Sequence, residues 1–524
     1  MSDGAMTLPA KENALFKQVV RSYETKTFKK GLKTADAILK KFPNHGETLS
    51  MKGLILGNME GEGKREEAHE CVKLGLKNDV GSHVCWHVYG LLHRIDRNYK
   101  EAIKCYRQAL KIDEGNLQIL RDLSYMQIQL REIDEFVSTR NEILKQRPVS
   151  RVNWMSIVVA QHYAGDNARA LETMNRFEGS VGGTFEATFV SQSEDAKTAK
   201  FELSEMHMFK AKILEDAGRV EDALASLLTN ADKIVDRAGW MTAVGKLHLR
   251  LAESDATTKD AVTGDVVAPA THRRKASSVF RRLVDRMPDN HEWHALLVKS
   301  LGLENDEAGL KSLYAELARA HPSAEFCARA PLDFTSGADF ENALREYVTV
   351  PLRKGVPSLF RELAGLYADA AKTPSMEKVF VEVVDALRSR KAFPGAPSGE
   401  TEKKPEATLA NALTLLAYHR DKTGDREAAL AFIDEAIALD IEPAILELHL
   451  AKAAFLKRSG DYAGAAAEAQ IARRGDLADR YLNGACVKRL LQNGQHEEAE
   501  RTAALFARDG DQASNLYDMQ CAWF

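Results

Sequence analysis

The feature that most constrains this chain is a period of 34 residues that begins at His83. Counting His83 as the first position, Trp86 is fourth, Gly90 eighth, Ala102 twentieth, Tyr106 twenty-fourth and Ala109 twenty-seventh, the spacing of a tetratricopeptide helix-turn-helix unit. Small residues at Gly90 and Ala102 let two antiparallel helices approach, while Trp86 and Tyr106 fill the space around them. A lone hairpin cannot bury its apolar face, so further units must stack on either side. They are present: adding 34 to Trp86 reaches Leu120 and Trp154, adding 34 to Ala102 reaches Phe136 and Ala170, and Pro148 falls where a proline closes a unit. The expected fold is all-α, a right-handed superhelical solenoid of tetratricopeptide-type repeats.

Along the chain, hairpins are expected at 11–41, 47–77, 83–113, 117–146 and 151–177, so residues 1–177 form an N-terminal repeat array. Residues 178–390 read as an irregular helical-hairpin middle. It carries loop insertions at 178–198 and 254–271, a drifted repeat marked by Ala211, Ala223 and Leu227, and short helices between the prolines and glycines of 329–360. The run KAFPGAPSGETEKKP places a flexible linker at 391–406. The period returns in 407–524, where Ala417 and Ala451, and Ala429 and Ala463, lie 34 apart. The chain stops at Met519–Phe524, which reads as the middle of a helix without a polar capping repeat, so a fragment of a longer protein or a short version is expected.

Composition removes several function classes. A formal net charge of -4 rules out a polycation, so any contact with a polyanion must come from a local patch. One such patch is the first hairpin, where nine Lys or Arg face three acids between Lys11 and Lys41; Lys11, Lys17, Arg21, Lys26, Lys29, Lys30 and Lys33 are its candidate phosphate contacts. The cysteines form no CxxC pair and sit in apolar helical surroundings, which fits reduced thiols in the cytoplasm. The leader has no apolar h-region, and no uncharged apolar run is long enough to span a bilayer.

No stretch carries catalytic chemistry. Arg176 to Val181 approximates a pyrophosphate-cradling loop but fails at Val181 and follows a helix instead of a strand. His83, His87 and Cys85 lack further ligands at metal spacing, and His291 and His294 are three apart rather than four. There is neither a G-x-S-x-G elbow nor a P-loop. Binding remains: on the 34-residue register His419 and Lys422, Lys452 and Lys457, and Lys488 all point to the groove side of three successive helices, a candidate anion site.

Longer runs go beyond the sparse repeat positions. Leu8-Pro-Ala-Lys-Glu-Asn-Ala-Leu-Phe16, His45-Gly-Glu-Thr-Leu-Ser-Met-Lys-Gly53, Ser82-His-Val-Cys-Trp-His-Val-Tyr-Gly-Leu-Leu92, Glu101-Ala-Ile-Lys-Cys-Tyr-Arg107 and Asn116-Leu-Gln-Ile-Leu-Arg-Asp-Leu-Ser124 resemble the large auxiliary subunit of NatA-type N-terminal acetyltransferases. So do Pro331-Leu-Asp-Phe334, Lys354-Gly-Val-Pro357 and Met519-Gln-Cys521. The resemblance implies a non-catalytic scaffold that binds and activates a catalytic subunit of GNAT fold and docks it at the ribosome. The enzyme so formed acetylates nascent chains that begin with Ser, Ala, Thr, Gly, Val or Cys after Met removal. It further implies a small regulatory partner and inositol hexakisphosphate held by basic groups of the later repeats, here His419, Lys422, Lys452, Lys457 and Lys488 with Arg480 and Tyr481 beside them. The basic first hairpin is the expected ribosome contact. The alternative reading is a co-chaperone-type adaptor whose repeats clamp a peptide carboxylate.

Overall fold

The computed structural model describes residues 7–59, 63–180, 193–254, 257–259, 266–442 and 444–506. It divides into two compact units, residues 1–280 and 281–524. The first unit opens with five helical hairpins: Ala10–Glu24 with Phe28–Leu39, Gly46–Gly57 with Lys64–Asn78, His83–Ile95 with Tyr99–Ile112, Leu117–Gln129 with Ile133–Gln146, and Arg151–Tyr163 with Asn167–Ser180. All five coincide with the hairpins expected from periodicity.

Local chemistry explains where these helices start and why they stack. The Ser82 hydroxyl accepts the Cys85 amide at 3.4 Å, and the Asn116 side-chain carbonyl accepts those of Gln118 and Ile119 at 3.1 and 3.2 Å, so the first orphan donors of two helices are satisfied. The fourth-position aromatics tie each helix back to the preceding loop. The Trp86 indole N–H donates to the Val80 carbonyl at 2.9 Å, and that of Trp154 donates to Pro148 at 2.7 Å. Ala102, Tyr106 and Ala109 are fully buried, and a Cβ added to Gly90 would lie 2.6 Å from Cδ1 of the Tyr106 ring. The glycine is therefore a contact surface for the tyrosine, and the close approach is what buries the ring.

The first unit continues through Ala196–Asp216, Val220–Thr229, Arg237–Glu253 and Pro269–Arg286, the last of which runs into the second unit. Ala211, Ala223 and Leu227 are buried, as the drifted repeat requires. The insertion expected at 178–198 is shorter than predicted, because helices reach Ser180 and restart at Ala196; residues 181–192 lie outside the described residues. The second insertion is not a plain exposed loop. Thr258–Lys259 pairs antiparallel with Val266–Val267, and Thr258 and Val267 are buried. The Thr258 hydroxyl reaches His272 at 2.7 Å, and His272 meets His248 at 2.8 Å, so the insertion is fastened to the helices beneath it.

In the second unit, His291–Leu301 and Glu307–Ala320 precede the predicted short helices Glu325–Arg329 and Pro331–Phe334, then Gly337–Lys354 and Lys372–Arg390. Lys372 is 8% exposed, and its ammonium donates to the carbonyls of Leu332 and Asp333 at 2.8 and 2.9 Å beneath the Phe340 ring. A buried cation thus closes the C-terminal end of a one-turn helix. The segment expected to be a flexible linker at 391–406 is instead anchored. Ala392 and Phe393 are buried, the Arg353 guanidinium grips Glu402 at 2.8 and 2.7 Å, and the Glu402 amide donates to the Lys391 carbonyl at 2.8 Å. Its Pro, Gly and Ser content suppresses helix, but the burial of Phe393 together with the Arg353–Glu402 pair holds the segment down.

Candidate anion-binding face on the C-terminal repeats

The last repeats comprise Pro405–Thr423 with Arg426–Ala438, Ile445–Ser459 with Tyr462–Gly475, and Arg480–Gln492 with His496–Ala504. Each hairpin turns at a left-handed glycine: Gly424, Gly460 and Gly494, with φ of 95°, 90° and 75°. The step from 424 to 460 is 36 residues, whereas the step from 460 to 494 is 34. Two extra residues are therefore taken up in the connection after Ala438, where Asp440 also adopts positive φ. On an α-helix two residues rotate a side chain by about 200°, so a constant count of 34 no longer matches equivalent positions across this connection, although Ala451 is still buried. Ala463, expected to be a close-packing residue, is exposed; Ala465 and Ala466 are buried in its place.

The packing on either side of this slip reassigns the candidate site. His419 is fully buried. Its Nδ1 meets the Tyr367 hydroxyl at 2.7 Å, Phe380 packs edge-on against its ring, and Glu377 lies 3.7 Å from Nε2. Burial pushes its pKa down, only partly offset by Glu377. It is a core residue and not a groove ligand. Lys452 is also withdrawn, because its ammonium is matched by Asp434 at 2.9 Å and Glu468 at 2.8 Å. Lys422 and Lys488 are exposed and Lys457 is half-buried. Arg480 is exposed with its guanidinium near the Phe506 ring, and Tyr481 is 73% exposed.

Two arginines that the constant register missed stand out instead. With a step of 36, Lys422 corresponds to Arg458, and with a further step of 34, Phe455 corresponds to Arg489. Arg458 lies over the Phe455 ring and binds the nearly buried Asp421 at 2.6 Å. Burial pushes the Asp421 carboxyl up, while Arg458 and Arg426 pull it back. Arg489 donates to Gln492 at 2.7 Å, and no carboxylate among the described residues pairs with it. Burial, then the charge of Arg458, push its pKa down, which Tyr481 only partly opposes. Arg458, like Lys452, is already matched by a carboxylate, whereas Arg489 is a half-buried guanidinium with none among the described residues and the charge of Arg458 nearby, a place where an anion is favoured. The glycine spacing was the sequence signal that could have found both arginines.

The basic first hairpin is a second candidate surface. Lys11, Lys17, Arg21, Lys26, Lys29, Lys30 and Lys33 are all exposed, and none forms an ion pair among the described residues. Two of the three acids are already spent: Glu12 is buried against Lys41 at 2.9 Å, and Asp36 pairs with Lys52 at 2.9 Å. Since Lys41 is one of the nine cations, the Glu12 pair leaves the balance of the patch unchanged, and only Asp36 is matched from outside the hairpin. The histidines weighed as metal ligands have other partners: His87 bonds Asp122 at 2.8 Å, Cys85 points into the core, and His294 bonds the Pro288 carbonyl at 2.8 Å. No described helix is long and apolar enough to cross a membrane.

Comparison with known proteins places this geometry. A family model described as "N-terminal acetyltransferase A, auxiliary subunit" matches residues 201–524, and a tetratricopeptide repeat model matches residues 83–116. The chain is 42% identical over 526 residues to the N-terminal acetyltransferase A complex auxiliary subunit NAA15 of Arabidopsis thaliana, covering 99% of this chain and 54% of that protein. It is 36% identical over 520 residues to the N-alpha-acetyltransferase 16, NatA auxiliary subunit, of Homo sapiens, covering 99% and 56%. The chain therefore spans about half the length of the curated relatives it matches. A solved structure of Naa15/Naa10 bound to HypK-THB matches with a TM-score of 0.77 at 34% identity, covering 98% of this chain and 71% of that one. The chain belongs to the family of N-terminal acetyltransferase A auxiliary subunits.

Proposed function

We propose that this chain is the non-catalytic scaffold of a NatA-type complex: it binds and activates a catalytic subunit of GNAT fold, and brings it to the ribosome in the cytoplasm. The substrates are nascent chains that begin with Ser, Ala, Thr, Gly, Val or Cys after Met removal. The observation that carries this reading is the match over 98% of the chain to a structure whose description names a complex with Naa10. A repeat array can only alter a partner's activity through contacts that differ between the partner's states, so activation must appear in the complex and not in the chain alone. The test is co-purification from extract followed by an acetylation assay on a Ser-starting peptide. Recovery of a chaperone in place of an acetyltransferase, or turnover of acetyl-CoA by the isolated chain, would overturn it. HypK-THB in that same description supports a small regulatory partner, which the same purification would reveal.

The anion face is the proposed seat of inositol hexakisphosphate, with Arg489 at its centre, Arg458, Lys457 and Tyr481 beside it, and Lys422, Lys488 and Arg480 at the edge. A ligand bound only by the assembled complex stabilises it by about 2.7 kcal/mol at a hundred times its Kd. Arg489→Gln should remove most of the thermal shift that inositol hexakisphosphate gives the complex, while Lys452→Gln should leave the shift in place. Equal shifts in Arg489→Gln and the unmodified complex would place the ligand elsewhere. Ribosome docking is assigned to the first hairpin: Lys29→Glu, Lys30→Glu and Lys33→Glu together should weaken co-sedimentation at low salt, with the shallower salt dependence expected on losing phosphate contacts. Unchanged sedimentation would remove the hairpin from the contact.

A further inference from the structure

Within the first unit an apolar cavity of about 510 Å³ opens between the helices Ile133–Gln146, Arg151–Tyr163 and Ala196–Asp216. That volume falls in the roughly 300 to 1,000 Å³ range of ligand-holding clefts. Phe136, Met155 and Phe209 line it, and two further lining residues stand out in water: Val152 is 62% exposed and Phe201 55%. Repeat helices normally bury such groups against the next unit, so their exposure on one lined cleft marks a surface built for another chain.

The charges around the cleft are unequal in a way that specifies that chain. Arg151 is already matched, 5% exposed with Glu202 at 2.7 Å and the Ser193 hydroxyl at 3.2 Å. Arg140 is not. It is half-buried, its guanidinium stacks against the rings of Phe136 and Tyr125, its Nε has no hydrogen-bond partner, and no carboxylate among the described residues pairs with it. Burial pushes its pKa down, the charge of Tyr125 and a hydrogen-bonding interaction with it oppose that, and the nearby charge of Arg121 adds a smaller lowering. On the wall supplied by Ala196–Asp216, Glu205 is exposed, so the cleft is positive on one wall and negative on the other.

We propose that this cleft docks a linear segment of a partner protein, which inserts a bulky apolar side chain among Phe136, Met155, Phe201 and Phe209 and lays a side-chain carboxylate on Arg140. The apolar floor supplies the affinity, and the single unmatched cation sets direction along the groove. A free chain terminus is the less favoured source of the carboxylate, because the segment must continue past Arg140 to span the cleft between its charged walls.

The test uses the full chain and a panel of fluorescein-labelled, C-terminally amidated peptides that place Asp at successive positions on either side of a Phe-Leu pair. Fluorescence anisotropy should find at least one spacing that binds. Replacing its Asp by Lys, or making Arg140→Gln, should weaken binding about tenfold or more, the loss expected for one charge-assisted contact. Arg140→Lys should restore part of it, and Phe201→Asp should abolish binding while leaving the helical circular dichroism unchanged. Equal binding of Asp and Lys peptides, no binding by any panel member, or binding that appears only with a free terminal carboxylate would overturn the proposal. So would a gain in affinity on replacing residues 181–192 with Gly and Ser, which would make the chain's own segment the occupant; unchanged affinity supports an outside partner.

Discussion

Asp122 offers a sharp test of how neighbouring repeats are joined. It is 5% exposed on Leu117–Gln129, and its carboxylate accepts from His87 at 2.8 Å and Arg94 at 2.9 Å, both on the preceding His83–Ile95, and from Gln118 at 3.3 Å. Removing one partner of a buried ion pair costs about 3 to 5 kcal/mol. The Arg94 side chain is 36% exposed, however, so water takes over part of its loss, and Asp122→Ala should cost about 2 to 3 kcal/mol. Asp122→Asn keeps the shape and some hydrogen bonding, and about 1 to 2 kcal/mol is expected. Because each repeat contacts only its neighbours, the loss should appear as faster amide exchange confined to the repeats spanning 83–146. Burial raises the carboxyl pKa, but the His87 hydrogen bond and the charges of His87 and Arg94 outweigh it and hold the group below its ordinary 3.8. A carboxyl lowered by folding stabilises above its unfolded pKa and loses that contribution as pH falls through the folded one. The gap between the native chain and Asp122→Asn should therefore close below about pH 4. Exchange spread evenly over the chain, a cost under about 0.5 kcal/mol, or a gap that widens in acid would refute the reasoning.

Other outcomes follow from single contacts. Lys372→Met should destabilise the second unit by about 2 to 3 kcal/mol, since it leaves the carbonyls of Leu332 and Asp333 unbonded; denaturant unfolding checks it. Ala102→Trp should cost about 1 to 3 kcal/mol or more by overpacking a residue with no exposed surface, read by the same assay. His419, lowered in pKa mainly by burial, favours the folded state above its ordinary 6.5 and withdraws that support as pH falls. Protection of the amides in 405–423, taken relative to their intrinsic exchange rates, should fall below about pH 6.5, and His419→Phe should flatten that dependence.

The N-terminal hairpins were readable from sequence because their period is regular and each repeat packs only on its immediate neighbours: Gly90, Ala102 and Tyr106 do what their spacing implies. The candidate site was only half readable. Of the named residues His419 and Lys452 have other duties, Lys422 and Lys488 are exposed and Lys457 is half-buried, and Arg458 and Arg489 lie outside the set that the constant register picked out. The 391–406 stretch misled because composition reports helix-breaking residues and not the burial of Phe393.

By itself the sequence determined the helical periodicity, the close-packing positions, the basic first hairpin and the family resemblance, all properties of local spacing and residue type. Only the tertiary structure decided which cations are free. Lys452 is matched by carboxylates from a neighbouring helix and from the next helix of its own hairpin, Arg140 and Arg489 have none among the described residues, and His419 is turned inward against Tyr367 and Phe380. The physical reason is twofold. A connection longer by two residues shifts the helices after Ala438 by about 200° against a constant 34-residue count, and at His419 and Arg140, which precede it, the neighbouring helices alone decide whether a side chain meets water, a carboxylate or an aromatic ring.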